Sequence, residues 1–380
     1  MDVVGLATPP PVPTGAPLWL AMPSRFAGLS RSQARWALGL LALLLGATLL
    51  ALAVPAPAGA PEGGTGEVQT DVALYDSIVS AIRGGGDYYG VAAKELRRGG
   101  YPLKPFITFR LPALAVIQAH ISPMVIQAVL FALIAATAGA WFVRFRAAFV
   151  RKPPLVFAML LLAGGMVVFI QRGLIGFHEI WAGMLIALSL ALRRNDRWTT
   201  AVAIGLIAML IRETALVYVA IMGILAFAEG HRREALGWGA TILVLAVVLG
   251  FHAHAVADVV RSTDPVSPGW MGLLGFGFFV KTMMLSTALA VVPAVLAALL
   301  VGLALFGWAC WADPVALRVL TVFCGYAALL GLFGRPDTFY WGLMIAPLLL
   351  VGLAFAPDGL RDLVARARDR RRIIVTRLVR

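Results

Sequence analysis

The sequence predicts an all-α protein: a polytopic integral membrane helical bundle of about ten spans, with interfacial helices in its first outer loop. Hydrophobic residues make up 61% of the chain and charged residues only 13%, which excludes an ordinary water-soluble domain. The charges fall between apolar runs whose length, on the order of 20 residues, matches a bilayer. The basic residues also gather in alternate connecting segments, as the positive-inside bias requires.

Residues 1–34 are rich in proline and are expected to be a disordered cytosolic tail. The membrane domain then runs over 35–356. Its predicted spans are 35–54, 124–143, 155–171, 180–193, 198–212, 214–229, 236–256, 284–309, 316–333 and 339–356. The fifth and sixth share a tight turn. No cleavable signal peptide is apparent, and the first run is read as an uncleaved anchor. With the N-terminus inside, cytosolic segments hold Arg25, Arg31, Arg35, Arg144, Arg146, Arg151, Lys152, Arg193, Arg194, Arg197, Arg232, Arg233, Arg318 and the arginines from Arg361 to Arg380. The net charge of +13 therefore sits on one face, and it is a topology signal rather than a nucleic-acid footprint. Residues 357–380 form a basic cytosolic tail. From 361 on it is amphipathic through Leu363, Val364, Ile373, Ile374 and Leu378, and it is expected to rest on anionic lipid. Cys310 and Cys324 read as small packing residues without a disulfide.

Two outer loops are long. In 55–123, a Pro/Ala/Gly stretch leads to 71–83, where Val72, Tyr75, Val79 and Ile82 form one apolar helical stripe. Gly84–Gly86 is a flexible turn before a second helix, Asp87 to Arg98. A Pro-punctuated extended run, Tyr101 to Phe106, follows, and then an apolar stretch of interfacial length, 111–121, broken at Ser122-Pro123. A loop so patterned suits an active-site roof better than a connector. The second loop, 257–283, holds Asp258, Arg261, Asp264, Lys281 and an aromatic, Gly-rich run from Gly269 to Phe279.

Asp71, Asp76, Asp87, His178, Glu179, Arg212, Glu213, Lys281, Arg335 and Asp337 all fall at this outer face. Ionisable groups near membrane depth are costly and mark sites. His178-Glu179 and His252-x-His254 are spaced so that their side chains diverge on a helix, so neither is a metal pair by itself, and pairing of Glu179 with Arg172 is a structural alternative.

The strings Asp71-x3-Tyr75-x2-Ile78, Asp87-Tyr88-Tyr89, Gly100-Tyr101-Pro102 and Phe109-Arg110-Leu111-Pro112 resemble the first outer loop of GT-C-type glycosyltransferases. Trp198 to Tyr218, with Arg212-Glu213-Thr214 at its tip, and Arg335-Pro336-Asp337 with Tyr340 and Pro347, resemble two further stretches of that family. The resemblance implies a polyprenyl-phosphate-linked sugar donor, a glycan, lipid or protein acceptor, and an acidic base soon after the first span. That base is Asp71 or Asp87, with Asp76 left open, since Asp71 stands behind a linker where family members carry an acidic pair close to the span. Asp71 also reads as the N-cap of the 71–83 helix.

Sugar transfer needs a carboxylate for the attacking hydroxyl and cations for the departing phosphate. Arg212 and Arg335 are the expected phosphate clamps, the alternative being that they snorkel to lipid head groups or pair with the adjacent Glu213 and Asp337, and Lys281 is a third cation or an interfacial anchor. Tyr75, Asp76, His178, Glu179, Glu213, Asp337 and Tyr340 are expected to bind the acceptor or to support the site. A second carboxylate facing Asp71 could bind a divalent cation, Mg or Mn. The implied location is a bacterial inner membrane, with both termini cytoplasmic and the site on the periplasmic face. The competing classes are a secondary transporter or flippase for a lipid-linked or anionic solute, and a polysaccharide polymerase or ligase. The near-absence of mid-span charge and of visible internal repeats favours the transferase over transport.

Overall fold

The computed structural model describes residues 16–55 and 67–369, and among them every named element is helical. In chain order these are α1 (Arg31–Thr48), continued by a 3-10 turn to Ala53, then α2 (Glu67–Arg83), α3 (Tyr88–Arg98) and α4 (Ala113–His120) in the first long loop. The bundle proceeds with α5 (Pro123–Ala148), α6 (Lys152–Gly165), α7 (His178–Leu192), α8 (Thr199–Ile211), α9 (Leu216–Ala228) and α10 (Arg232–Val259). It closes with α11 (Gly275–Leu285), α12 (Ala294–Cys310), α13 (Pro314–Phe333), the 3-10 segment Pro336–Met344, α14 (Ala346–Leu349) and α15 (Ala356–Arg368).

The starts of the long helices are written in the sequence. The Ser30 hydroxyl accepts from the Gln33 N–H while the Gln33 side chain accepts from the Ser30 N–H, a capping box that opens α1. Ser122 before Pro123 and Asp313 before Pro314 cap α5 and α13 more simply, their side chains accepting from the Val125 and Val315 N–H groups, with proline where its missing N–H costs nothing.

Among the described residues, four stretches are long and apolar enough to cross a membrane: Arg31–Ala53, Pro123–Ala148, Arg232–Val259 and Pro314–Phe333. Pro336–Met344 and Ala346–Ala354 make a fifth if they count as one span bent by 62°. The remaining expected spans appear as apolar helices of 10–17 residues. Only 17–22% of the most apolar windows of α1, α5 and α10 is buried, so most of those apolar side chains point away from the protein. That outward apolar surface needs an apolar solvent, which a bilayer supplies. This is a membrane protein.

Several expected boundaries shift. Residues 16–30 are not a loose tail: the N–H groups of Leu18, Trp19 and Leu20 donate to Asp358 at 2.6, 2.8 and 3.0 Å, and the Ser24 N–H and hydroxyl donate to Asp362 at 3.1 and 2.8 Å. Both carboxylates are fully buried on α15, so the start of the expected basic tail is a packed helix and the N-terminal segment supplies its hydrogen bonds. Residues 1–15 and 370–380, with the lipid-binding expectation for the tail's end, lie outside the described residues.

The span expected at 284–309 is two helices. A 3-10 turn at Ala288–Val291 and Pro293 separate α11 from α12. The second half of the aromatic run assigned to the second loop, from Gly275, is the start of α11 with Phe278 and Phe279 buried, while residues 269–274 stay in the connection. The span expected at 155–171 leaves α-geometry at Gly165, where the carbonyl groups of Ala346 and Pro347 press against the glycine. The span at 339–356 breaks at Ile345, whose φ of −130° is non-helical, with Pro347 just beyond. Gly307 on α12 and Gly352 meet backbone to backbone, a crossing that only small residues permit.

Residues expected on the cytosolic side meet one another. Arg193 forks onto Glu234 at 2.9 and 2.6 Å, Arg318 pairs with Glu229, and the Arg144 guanidinium donates to the Ala191 carbonyl at 2.8 Å. A separate small core, built from Ile78, Ile82, Ala92, Leu96, Leu103, Phe109 and Val256, ties the first long loop to the end of α10. That second core makes the loop a lid with its own packing.

Candidate functional site

The lid is fixed by directional bonds as well as by its core. Asp87 caps α3 by accepting from the Gly90 N–H at 2.9 Å. Arg97 on α3 forks onto Asp264 at 2.8 and 2.7 Å and also donates to the Val259 carbonyl at 2.7 Å, which anchors the lid to the turn after α10. That hydrogen bond from Arg97 holds the Asp264 carboxyl well below the usual carboxylate range. Arg83 at the end of α2 donates to the carbonyls of Ala119 at 3.2 Å and Gln118 at 2.9 Å, closing the C-terminus of α4. The Gln118 amide in turn donates to the Ile175 carbonyl at 2.9 Å, and the Tyr88 hydroxyl donates to the Arg110 carbonyl at 2.6 Å.

Between this lid and the ends of the apolar helices lies a cavity of about 430 Å³. Asp71, Tyr75, His178, Arg335, Asp337 and Tyr340 line it, together with Tyr101, Thr108, Arg110, Trp270 and Trp341. The Tyr101 hydroxyl donates to Asp71 Oδ1 at 2.8 Å. Asp71 lies inside α2, which begins at Glu67, so it is not the helix N-cap that the apolar stripe suggested. Arg110 Nε donates to the Tyr75 hydroxyl at 3.2 Å, and burial pushes the pKa of that phenol up, so Tyr75 stays protonated.

Beneath this wall sits a compact ion cluster. Arg212 Nε donates to Glu179 Oε1 at 2.5 Å and Arg212 Nη1 to Glu213 Oε1, while Arg110 approaches the same two oxygens at 3.8 and 3.6 Å. Two guanidinium groups and two carboxylates thus balance in place, with Glu179 and Arg212 fully buried and the Arg212 cation 5.6 Å from the Trp341 ring centre. Arg335 pairs with Asp337 at 2.7 Å, and both side chains are about one-third exposed (29% and 34%), so this pair is open to exchange.

The sequence placed some residues here that the structure places elsewhere. Arg212 bonds Glu179 and Glu213 and does not line the cavity, which places it in the wall beneath. Lys281 stands on α11 away from the cavity, because the aromatic run around it folded as a helix. Asp87 is exposed and spent on its cap, and Asp76 is exposed on the outer face of α2, where partial desolvation raises its pKa. Glu179 pairs with Arg212 and Arg110, not with Arg172, which lies exposed on its turn. His252 is a packing residue bonded to the Tyr89 hydroxyl at 3.1 Å.

Arg110 is the cation that sequence reasoning left without a role. Its signal was its position, between Phe109 and Leu111-Pro112 at the point where the loop turns into the interfacial helix.

Several buried polar atoms around the cavity have no hydrogen-bond partner: both ring nitrogens of His178, Thr108 Oγ1, Asp337 Oδ1 and Trp341 Nε1 on its walls, and Glu179 Oε2, Glu213 Oε2 and Arg212 Nη2 below. Orphaned polar atoms so concentrated mark a place where water or a ligand completes the bonding. Among the described residues, no group of three or more His, Cys, Asp or Glu side chains is placed to hold a metal ion, so the donor set does not fit the divalent cation considered for this site.

No family model, no curated protein and no solved structure matches this chain.

Proposed function

We propose that this protein is a membrane glycosyltransferase of the GT-C type. It would move a monosaccharide from a polyprenyl-phosphate donor to a hydroxyl of a glycan, lipid or protein acceptor. In this reading the chain has about ten spans, short and broken ones included. Both termini are cytoplasmic, and the cavity faces the periplasmic side of a bacterial inner membrane. The observation that carries the reading is the meeting of one hydrogen-bonded carboxylate, Asp71, with two guanidinium groups, Arg110 and Arg335, in one cavity under an interfacial lid.

Asp71 takes the proton of the acceptor hydroxyl as that oxygen bonds to the anomeric carbon of the donor sugar. The bond from this carbon to the phosphate oxygen breaks, and its electron pair leaves with the phosphate. Arg335, released from its partly exposed pair with Asp337, and Arg110 stabilise the departing anion. Asp71 is preferred to Asp76 and Asp87 because it alone of the three lines the cavity.

The test is transfer of a labelled sugar from a polyprenyl-phosphate donor by purified protein in detergent, where no vectorial transport can occur. Transfer that disappears in Asp71→Asn supports the reading. The second reading, a transporter or flippase for an anionic or lipid-linked solute, is favoured by one observation: the buried Glu179–Arg212 pair at the ends of α7 and α8. Activity confined to sealed vesicles carrying a gradient would put that reading first.

A further inference from the structure

We infer that His178, Trp341 and Asp337 form the sugar subsite of this cavity, built for an uncharged, hydroxyl-bearing ring. The inference rests on the transferase reading above and deepens it. His178 opens α7, is buried, lines the cavity, and has neither ring nitrogen bonded to protein. A buried imidazole with two idle nitrogens is rare, because each unmade hydrogen bond carries a desolvation cost. Trp341 Nε1 and Asp337 Oδ1 on the facing 3-10 segment are idle in the same way and line the same cavity. That segment is pressed onto α7, with the Leu343 backbone against Gly183, and Arg212 joins the two by bonding Glu179, next to His178, and lying beside the Trp341 ring.

The chemistry of the three idle groups decides the ligand. Trp341 Nε1–H donates only, the Asp337 carboxylate accepts only, and a neutral imidazole does one of each. Vicinal hydroxyls on a sugar ring, each able to donate and accept, satisfy all three groups together. A phosphate satisfies the donors but is repelled by Asp337. A uronic acid carboxylate meets the same repulsion, and the cations nearby are engaged by Glu179, Glu213 and Asp337 or reserved for the phosphate. Tyr75, whose ring centre is 5.2 Å from that of His178, and Tyr340 add the aromatic surface that the apolar face of a sugar favours.

The experiment measures binding of three probes to the full-length protein in detergent: undecaprenyl phosphate, undecaprenyl-phosphate-hexose and undecaprenyl-phosphate-hexuronic acid. The wild type should hold the hexose lipid at least about tenfold more tightly than the bare phosphate lipid, and the hexuronic lipid no more tightly than the bare one. His178→Leu should erase the hexose advantage while leaving the bare lipid unchanged, and His178→Gln, which keeps a donor and an acceptor, should recover part of it. Trp341→Phe, which removes one N–H and keeps the ring, should reduce the same advantage and serves as the second variant if His178→Leu does not fold. Equal loss for all lipids, or a hexose advantage untouched by both substitutions, overturns the subsite and leaves the transferase reading standing. A wild type that binds none of the lipids overturns both.

Discussion

The Tyr101 hydroxyl points at Asp71 Oδ1 from 2.8 Å, joining the extended run after α3 to the inner face of α2. Tyr101 follows Gly100, whose φ of +71° turns the chain back beneath α3, so a glycine-dependent reversal places the phenol. A carboxylate held in this way keeps a fixed orientation toward the cavity, which a general base needs.

Asp71→Asn keeps the shape and removes the charge, so transfer should fall by roughly 10²–10⁴ while the folded protein is retained. Tyr101→Phe removes one hydrogen bond to a charged group and should cost about tenfold. Initial rates in detergent, normalised to the monodisperse fraction on size exclusion, measure both. Full activity in Asp71→Asn would remove Asp71 from the mechanism.

What could be read from the sequence, and what could not, follows from range. Helix starts are local, and the expected starts at 124 and 316 fall within two residues of Pro123 and Pro314, whereas the expected start at 35 overlooked the Ser30/Gln33 capping box that opens α1 at Arg31. Asp71, Tyr75, His178, Arg335, Asp337 and Tyr340 all line the cavity, and the sequence grouped them because each falls in the first long loop or beside a turn expected at the same end of the bundle. The fate of Arg212 was legible only in part: the adjacent Glu213 offered itself as a partner, and it does bond Arg212. Hydropathy places it at a helix end but cannot say that Glu179, from another helix, will take its charge. Lys281 failed for a related reason: an aromatic, glycine-rich run has the composition of a loop, and only its packing against the 3-10 turn after α1 and against α13 makes it a helix. The role of Asp358 and Asp362 was hidden in a segment that composition described only as basic.

Asp337 competes with a donor phosphate for Arg335 in the proposed mechanism. Asp337→Asn should therefore tighten binding of bare undecaprenyl phosphate, by up to about tenfold, since an exposed pair of this kind is worth roughly 0–1 kcal/mol and the carboxylate also repels the phosphate. Arg335→Ala should weaken the same binding, with Arg335→Lys intermediate because an ammonium lacks the planar fork. Weaker phosphate binding in Asp337→Asn would show that the carboxylate orients Arg335 instead of competing for it.

The Glu179–Arg212 pair is a matter of stability before function. Removing Glu179 leaves two guanidinium groups, Arg212 and Arg110, to share the one carboxylate of Glu213, and breaking a buried pair of this kind costs up to about 3–5 kcal/mol. Glu179→Gln should therefore lower the apparent melting temperature in detergent, while Arg335→Ala, in a partly exposed pair, should not. A Glu179→Gln protein as stable as the wild type would mean that Glu213 alone neutralises Arg212. Combining it with Glu213→Gln would then expose the loss, since the second carboxylate is gone as well.

The proposed orientation is tested at two exposed positions that touch nothing in the cavity. Ser262 lies in the turn that the lid grips, where the Lys104 ammonium donates to its carbonyl at 2.9 Å, and Asp196 lies on the connection between α7 and α8 beside the Arg193 cluster. With Cys310 and Cys324 replaced by alanine, Ser262→Cys in spheroplasts should react with a membrane-impermeant maleimide and Asp196→Cys should react only after lysis. The two sites sit at opposite ends of the proposed topology, so the pair reports orientation and not mere accessibility. Labelling of Asp196→Cys from outside, with protection of Ser262→Cys, would place the Asp71 cavity on the cytosolic side. A donor presented on the periplasmic leaflet could not then reach it, and the transferase reading would need a cytosolic donor.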